Sequence, residues 1–156
     1  MNVAVIPARG GSKRIPHKNI KQFCGKPIIA WPIEVAKQSN LFEHILVSTD
    51  DEEISEVSKS FGAEVPFLRG KEFSGDYVTT GQVLANSVSW IYEQDWKPEA
   101  VCCIYATSVF VTMDDLKKGY EALSTGDWSY AFSVTEFEYP ILRSFKEHPN
   151  GGLEMF

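Results

Sequence analysis

Cysteine and histidine are both scarce in this 156-residue sequence, with three of each. The number of cysteines is odd, and the spacing of Cys24, Cys102 and Cys103 is not that of metal ligands. A disulfide framework or a zinc site is therefore excluded as the basis of the fold. No apolar run approaches membrane-spanning length, and Met1-Asn2 leads directly into an apolar strand, so we expect no membrane span and no signal peptide. These absences predict reduced, structural thiols in a cytoplasmic protein.

An excess of positive charge is also missing. Fifteen lysines and arginines stand against 21 aspartates and glutamates, and the resulting net charge of −6 argues against a nucleic-acid-binding surface. The three histidines (His17, His44 and His148) have no compelling nucleophile partner, so Ser-His-Asp or Cys-His catalysis is not expected. With 44% hydrophobic residues, the chain can bury one sizeable core, and we expect a single domain over residues 1–156.

Short apolar runs alternate with amphipathic segments along the chain. The pattern predicts strands at 3–7, 44–48, 63–67, 100–106 and 130–134, and helices at 27–38, 51–61, 79–94 and 112–123. Such alternation implies a mostly parallel sheet with helices on both faces, a three-layer α/β/α, Rossmann-like fold. Ligands of these sheets bind beyond the carboxyl ends of the strands, so we expect the site there.

The loop after the first predicted strand is the most informative part of the sequence. Its adjacent glycines, Gly10 and Gly11, lack Cβ atoms, and we predict left-handed dihedrals that turn their N–H groups toward one anion. The loop has neither the Walker spacing nor the dinucleotide fingerprint, since the next glycine is Gly25. Five cationic or potentially cationic side chains surround the glycines: Arg9, Lys13, Arg14, His17 and Lys18. The loop therefore predicts a site for the polyphosphate of a nucleotide.

The order of residues from 3 to 20 resembles the N-terminal signature of the sugar-activating cytidylyltransferases, which make CMP-linked nine-carbon acidic sugars. Residues 23–31, Phe-Cys-Gly-Lys-Pro-Ile-Ile-Ala-Trp, are similar to the family's approach to its first helix. Residues 45–51, Ile-Leu-Val-Ser-Thr-Asp-Asp, are similar to its second strand with the Ser-Thr-Asp end, and residues 69–76 are similar to its segment R-P-x-x-L-x-x-D. The resemblance covers the first half of the chain continuously and runs more weakly to about residue 145.

The resemblance implies that the anomeric hydroxyl of the sugar attacks the α-phosphorus of CTP and that pyrophosphate leaves. Lys18 matches the family's catalytic lysine near the α-phosphate, and Arg9 offers a planar fork for bidentate phosphate contact; we expect both to be catalytic. The implied nucleotide contacts are Ala8, Arg9, Gly10, Gly11, Ser12, Lys13, Asn19, Arg69, Thr79 and Thr80.

Three aspartates near these positions have more ordinary interpretations. Asp50 and Asp51 precede a predicted helix and are expected to act as capping and dipole groups rather than as a catalytic pair. Asp76 is expected to orient its own loop or to cap the following helix.

The acceptor side departs from the sialic-acid forms of the family, which place Gln-Pro-Thr-Ser-Pro at the end of the fourth strand. Here the same place has Tyr105-Ala106-Thr107-Ser108-Val109, so an aromatic hydroxyl replaces an amide, and Tyr105, Thr107 and Ser108 are the expected sugar contacts. Together with the sequence Tyr-Pro-Ile at 139–141, this resembles the pseudaminate branch. Two alternatives stay open: N-acetylneuraminate or legionaminate as the acceptor, and a nucleotide-binding fragment without turnover.

The family normally runs several tens of residues beyond the length of this chain. We therefore expect the chain to lack a C-terminal portion that carries an acidic Asp-x-Asp metal site and an arm of the dimer. The resemblance implies Mg²⁺ as cofactor, with its ligands beyond residue 156, and a homodimer in the full-length form. The expected partners are CTP and an acidic nonulosonic sugar, with no nucleic acid and no membrane.

Overall fold

The structure, a computed structural model, describes residues 1–136, 138, 145–147 and 149–155, with only the backbone described at 155. The Tyr-Pro-Ile segment at 139–141 thus lies outside the described residues. The strands are β1 (Asn2–Pro7), β2 (Gln22–Phe23), β3 (Lys26–Pro27), β4 (His44–Ser48), β5 (Ala100–Cys103), β6 (Phe145–Glu147) and β7 (Leu153–Met155). The α-helices are α1 (Ala30–Ser39), α2 (Glu52–Ser60), α3 (Thr80–Glu93) and α4 (Met113–Ser124), and two 3₁₀ helices cover Lys18–Ile20 and Lys71–Phe73.

The central sheet is parallel, with the strand order β4-β1-β5. The register places Val5 of β1 opposite Leu46 on one side and Cys103 on the other. Strand β1 is apolar and almost fully buried, as expected for a strand covered on both faces. The chain leaves β1 for β4 on one side and reaches β5 on the other, so a topological switch point lies at the carboxyl end of β1.

Helices cover both faces of this sheet. On one face, Ala4, Ile6 and Val47 belong to a buried cluster with Ile33 of α1 and Ile54 of α2. On the opposite face, alternate residues of the same strands form a second cluster with α3, made of Val3, Val5, Leu46 and Ile91. Alternation of side chains along each strand thus gives two cores, and the predicted α/β/α layering is confirmed.

Side-chain caps determine where three of the helices begin. Asp51 accepts a hydrogen bond from the backbone N–H of Ile54 at the start of α2, as predicted. Thr79 and Thr112 each form a reciprocal capping box, with Gln82 in α3 and Asp115 in α4. The capping bonds of Thr112 lower the pKa of the Asp115 carboxyl. The predicted bounds of these helices agree with the structure within about two residues.

Two predicted strands are wrong. Residues 63–67 make only isolated parallel bridges beside β4, Leu46 with Glu64 and, just beyond, Thr49 with Leu68. Residues 130–134 are not a strand, and Tyr130, Phe132 and Val134 are 74%, 74% and 81% exposed. Within the described residues, β5 pairs with β1 alone, so residues 130–134 do not pair with its other edge.

All three cysteines are free thiols. Burial raises the pKa of Cys102 to about 11, and it also raises that of Cys103, so neither thiol is activated at neutral pH. Near the end of the described chain, the turn-like cluster at 149–152 connects β6 to the antiparallel β7, with Gly151 and Gly152 in left-handed conformations. Over the described ranges, no helix is both long and apolar enough to cross a membrane.

Candidate active site

The cationic loop, defined as residues 8–18, begins where β1 and β4 end side by side. The backbone N–H of Ala8 donates to the carbonyl of Ser48 at 2.9 Å, which continues the parallel pairing past the end of the sheet. The methyl group of Ala8 is buried in the core, so only its backbone can face a ligand. The loop therefore begins at the expected sheet edge.

Gly10 is fixed by a close approach to the Ser-Thr-Asp-Asp end of β4. Its N–H donates to Asp50 Oδ1 at 2.9 Å, and a Cβ built on Gly10 would lie 2.8 Å from Asp51 Cβ. Neither Gly10 nor Gly11 has a positive φ, so the predicted left-handed dihedrals are wrong. A side chain is excluded at Gly10 by the neighbouring aspartate, whereas the space around Gly11 is open.

Two cations of the loop converge on one carboxylate. Arg9 Nη1 donates to Asp76 Oδ1 at 3.0 Å and to the carbonyl of Gly75 at 3.4 Å, while Lys13 Nζ pairs with Asp76 Oδ2. The hydrogen bond and charge of Lys13, followed by those of Arg9, lower the pKa of Asp76. Asp76 therefore orients its loop, which was one of the two roles predicted for it. The other predicted role, capping of the next helix, is wrong, because Thr79 caps α3.

Hydrogen bonds to its own backbone carbonyls stabilise the cationic loop. The buried Asn19 donates from Nδ2 to the carbonyl of Arg9 at 2.9 Å, and Ser12 N–H donates to the carbonyl of Gly10 at 2.8 Å. His17 has the left-handed conformation, with φ of 50°, and turns the chain into the first 3₁₀ helix. The side chain of Lys18, which begins that helix, is exposed and has no ion pair with any described residue.

Arg69 lies beneath the cationic loop rather than on its surface. Its side chain is 2% exposed; Nη1 donates to the carbonyl of Ser48 at 3.0 Å, and Nη2 lies 3.7 Å from Asp50 Oδ1. Its Nε is buried and has no hydrogen-bond partner among the described residues. Burial lowers the pKa of Arg69; the charge of Asp50 opposes this shift, and that of Arg9 adds to it.

The expected acceptor residues lie beyond the end of β5. Tyr105 is 56% exposed, and its hydroxyl donates to Thr80 Oγ1 at 3.4 Å. Ser108 N–H donates to the carbonyl of Tyr105 at 2.9 Å, which closes a tight turn around Thr107. A cavity of about 1020 Å³ opens beside β5 and α4, and Thr80, Tyr105, Thr107 and Ser108 are among its lining residues.

The structure brings most of the predicted residues into two groups. The nucleotide group, from Arg9 to Asn19 with Arg69, lies around the ends of β1 and β4; the acceptor group lines the cavity, which the cationic loop does not line. The side chain of Thr79 forms the capping box of α3, and Thr80 lies with the acceptor group, where it accepts from the Tyr105 hydroxyl.

The contact of Asp50 with Gly10 was not predicted from the sequence, which indicated only a capping and dipole role for Asp50. Its carboxylate accepts from Gly10 N–H instead, and Asp51 alone caps α2. An acidic residue directly after a buried strand, at the sheet edge where a glycine loop lies, was the available signal. In the described part of the chain, no three Asp, Glu, His or Cys side chains form a group that could hold a metal ion.

A parallel sheet whose central strand runs into a cationic loop at a switch point defines a nucleotide-binding α/β protein. The sequence matches the cytidylyltransferase family over residues 3–140. The chain belongs to this family.

Similar proteins extend this result. The chain is 44% identical to pseudaminic acid cytidylyltransferase of Campylobacter jejuni, over 99% of this chain and 67% of that protein. It is 37% identical to CMP-N,N'-diacetyllegionaminic acid synthase of Legionella pneumophila, over 76% of this chain and 51% of that protein. A solved structure of CMP:2-keto-3-deoxy-manno-octonic acid synthetase complexed with CTP has the same fold, with a TM-score of 0.66 and 22% identity over 80% of this chain and 47% of that one.

Proposed function

We propose that this protein transfers CMP from CTP to a nonulosonic acid, specifically pseudaminic acid, with release of pyrophosphate. The observation that carries the proposal is the convergence of Arg9 and Lys13 on one carboxylate at the switch point of a cytidylyltransferase fold. The 44% identity to a pseudaminic acid cytidylyltransferase along nearly the whole chain supports the same reaction. Release of an activated sugar of this kind serves the biosynthesis of surface glycans.

The contact with Asp76 supports an anion site at the cationic loop. A guanidinium and an ammonium bind the two oxygens of one carboxylate, an arrangement that equally suits two oxygens of a phosphate group. In the proposed complex, the β- and γ-phosphates of CTP take the place of Asp76, and Arg9 and Lys13 neutralise them. Gly11 and Ser12 lie next to these cations and complete the loop around the phosphates.

Lys18 is proposed as the catalytic cation at the α-phosphate. Its exposed ammonium is not paired with a described carboxylate, so a ligand does not have to break an existing ion pair to reach it. The sugar hydroxyl oxygen forms a bond to the α-phosphorus while the bond to the β-phosphate oxygen breaks, and the hydroxyl proton passes to water. Lys18 and Arg9 stabilise the charge that develops on the phosphate oxygens and on the leaving pyrophosphate.

Arg69 is proposed to donate a hydrogen bond from its buried Nε to the nucleoside of CTP. Its Nη1 and Nη2 atoms contact Ser48 and Asp50, but no described residue accepts a hydrogen bond from the buried Nε–H. A buried donor without a partner is costly, and an oxygen of the base or ribose would satisfy it. Asn19 acts behind the loop, through the carbonyl of Arg9, and Thr79 acts through the start of α3, which presents Thr80.

The acceptor is proposed to bind at Tyr105, Thr107 and Ser108, beside the cavity that they line. The tyrosine hydroxyl stands where the sialic-acid forms have an amide, which supports pseudaminic acid over N-acetylneuraminate. Thr80, the first residue of α3, also lines this cavity and accepts a hydrogen bond from the Tyr105 hydroxyl.

Mg²⁺ is the expected cofactor of the family, but the described side chains do not fit a protein-held ion, since no three of the usual ligands meet. In the proposed reaction, Arg9, Lys13 and Lys18 supply the positive charge that this chain contributes. A homodimer is likewise an expectation from the family resemblance, and a cytoplasmic location is an expectation from the cysteine content.

A pyrophosphate-release assay tests the proposal. Purified protein is incubated with CTP and Mg²⁺ and with pseudaminic, N-acetylneuraminic or legionaminic acid in parallel, and UTP replaces CTP as the control for the base. We expect release with CTP and pseudaminic acid, and much less with the other pairs. Release with N-acetylneuraminic or legionaminic acid only would contradict the proposed sugar, and CTP binding without any release would indicate a nucleotide-binding fragment.

A further inference from the structure

Asp50 connects two parts of the nucleotide group that are distant in sequence. Its Oδ1 accepts from the backbone N–H of Gly10 at 2.9 Å and lies 3.7 Å from Nη2 of Arg69. The carboxylate is thus placed between the backbone of the cationic loop and a guanidinium of which only 2% is exposed. At Gly10 this loop lies so close to the residues after β4 that an added Cβ would be 2.8 Å from Asp51 Cβ.

Helix capping does not account for this position. The neighbouring Asp51 makes the capping bond to Ile54 N–H, and Thr49 Oγ1 accepts from the N–H of Asp51. The Asp50 side chain points to the cationic loop instead, and 23% of it is exposed. Since the start of α2 is already capped, the contact with Gly10 requires another explanation.

Coulomb's law also argues against a purely electrostatic role. A carboxylate beside a triphosphate repels it, and removal of that carboxylate should strengthen binding if charge alone mattered. The acid is nevertheless held next to the phosphate-binding loop by a buried arginine. An orienting contact is the simplest role that outweighs the repulsion, because the backbone of the cationic loop determines where Arg9 and Lys13 point.

We propose that Asp50 is a positioning residue for CTP: held by Arg69, it fixes the Gly10 backbone so that the cationic loop presents its charges to the triphosphate. This inference rests on the proposed function. Arg69 then has two roles. Its Nη2 holds Asp50, and its Nε, which has no partner among the described residues, donates to the nucleoside. Asp50 itself touches no reacting atom.

The test compares Asp50→Ala and Asp50→Asn with Glu52→Gln in the full-length protein. Asparagine keeps an acceptor for Gly10 N–H without the charge, and alanine removes both. Glu52 is an exposed acid in the first turn of α2, and its side chain forms no hydrogen bond or ion pair with the described residues of the cationic loop, so Glu52→Gln controls for the loss of one negative charge. Calorimetry measures the Kd of CTP and of cytidine for each variant.

We expect Asp50→Ala to weaken CTP binding about tenfold or more, because a charge-assisted hydrogen bond that positions the loop is lost. Cytidine, which has no phosphates, should change less than about threefold, and Asp50→Asn should restore part of the CTP affinity. Glu52→Gln should bind CTP as the unsubstituted protein does. Equal or tighter binding of CTP by Asp50→Ala, or an equal loss for cytidine and CTP, would overturn the proposal.

A measurement on the unsubstituted protein avoids any failure of a variant to fold. The amide hydrogen of Gly10 should exchange with solvent more slowly than that of Gly11, since the Gly10 N–H donates to Asp50. A Gly10 amide that exchanges as fast as that of Gly11 overturns the inference. If the unsubstituted protein fails to bind CTP, the proposed function falls, and this inference falls with it; binding that Asp50→Ala leaves unchanged removes the inference alone.

Discussion

The two sides of the candidate site are built differently. On the nucleotide side, contacts across 40 to 67 residues of sequence hold the cationic loop: Gly10 to Asp50, Arg9 to Asp76 and Lys13 to Asp76. On the acceptor side, Tyr105 reaches Thr80 through one 3.4 Å hydrogen bond, and the backbone hydrogen bonds that follow are local turn contacts. The nucleotide side is therefore organised in advance, whereas the acceptor side is open and exposed.

This difference agrees with the order of the reaction that we propose. A triphosphate is highly charged, and cations held in place before it arrives bind it without a large cost of ordering. The acceptor hydroxyl has to approach the α-phosphorus only after CTP is seated. Changes on the nucleotide side should thus affect both binding and turnover, and changes on the acceptor side should affect mainly the choice of sugar.

The largest effect is expected from Lys18→Ala. Loss of the ammonium at the α-phosphate should lower kcat about a hundredfold or more, the scale seen when one charge-stabilising group is removed from an active site. The thermal midpoint should not change, since the Lys18 side chain is exposed. Lys21→Ala is the matched control, an exposed lysine three residues further on, and should retain activity. Equal turnover of the two variants would remove Lys18 from the mechanism.

The next largest effect is expected from Gly10→Ala. The new methyl group would meet Asp51, so the cationic loop or the start of α2 must shift, at a cost of about 1–3 kcal/mol in the free energy of unfolding. CTP affinity should fall as well. Gly11→Ala is the control for stability alone, because no atom of the described residues lies within 4 Å of its added methyl group. Denaturant unfolding measures the free energy of unfolding and calorimetry measures the Kd of CTP, and equal stability of the two variants would contradict the close approach at Gly10.

A smaller effect is expected from Tyr105→Phe on the acceptor side. The variant loses the hydrogen bond to Thr80 and a hydroxyl that faces the cavity, so the KM for pseudaminic acid should rise several-fold, about 2- to 10-fold. The Kd of CTP should stay the same. Steady-state kinetics with each substrate varied in turn separates the two. A rise in the KM for CTP with none for the sugar would place Tyr105 on the nucleotide side.

The smallest effect is expected from Asp76→Asn, and it should be a gain. The neutral side chain competes less with phosphate for Arg9 and Lys13, so CTP should bind a few-fold more tightly, about 2- to 5-fold. Glu72→Gln, on the same loop, controls for overall charge.

The pH dependence of this gain follows from the lowered pKa of Asp76. A carboxyl with a depressed pKa stays ionised down to pH values below its ordinary range, and its ion pairs are lost only as the pH falls through the lowered value. The difference between Asp76→Asn and the unsubstituted protein should therefore hold across about pH 5 to 8. A difference that disappears within this range would mean that Asp76 titrates there and does not hold the loop as described.

Much of the fold follows from local sequence signals. The apolar runs that became β1, β4 and β5 and the caps at Asp51 and Thr112 depend on neighbouring residues, and the sequence displays them directly. The cap of α3 is Thr79, whereas Asp76 was expected there. Residues 63–67 and 130–134 have the same kind of alternation but lack a full partner strand within the described residues. Strand formation depends on a neighbour, which local pattern does not contain.

The site shows the same limit. The cationic loop could be located from its glycines and charges, because both properties belong to single residues. The role of Asp50 could not be predicted, since it depends on a contact with a residue 40 positions away. For Asp76 the orienting role was predicted, but its partners Arg9 and Lys13, which lie more than 60 positions away, were not. Arg69 was expected at a ligand surface, but the structure buries its side chain under the end of β4.

A structure of the protein with CTP bound tests the central claim most directly. The account predicts the triphosphate against Arg9, Lys13 and Lys18, with Asp76 displaced from the two cations and Asp50 still bound to Gly10. A CTP molecule seated elsewhere, with the Arg9–Asp76 and Lys13–Asp76 contacts intact, would contradict it.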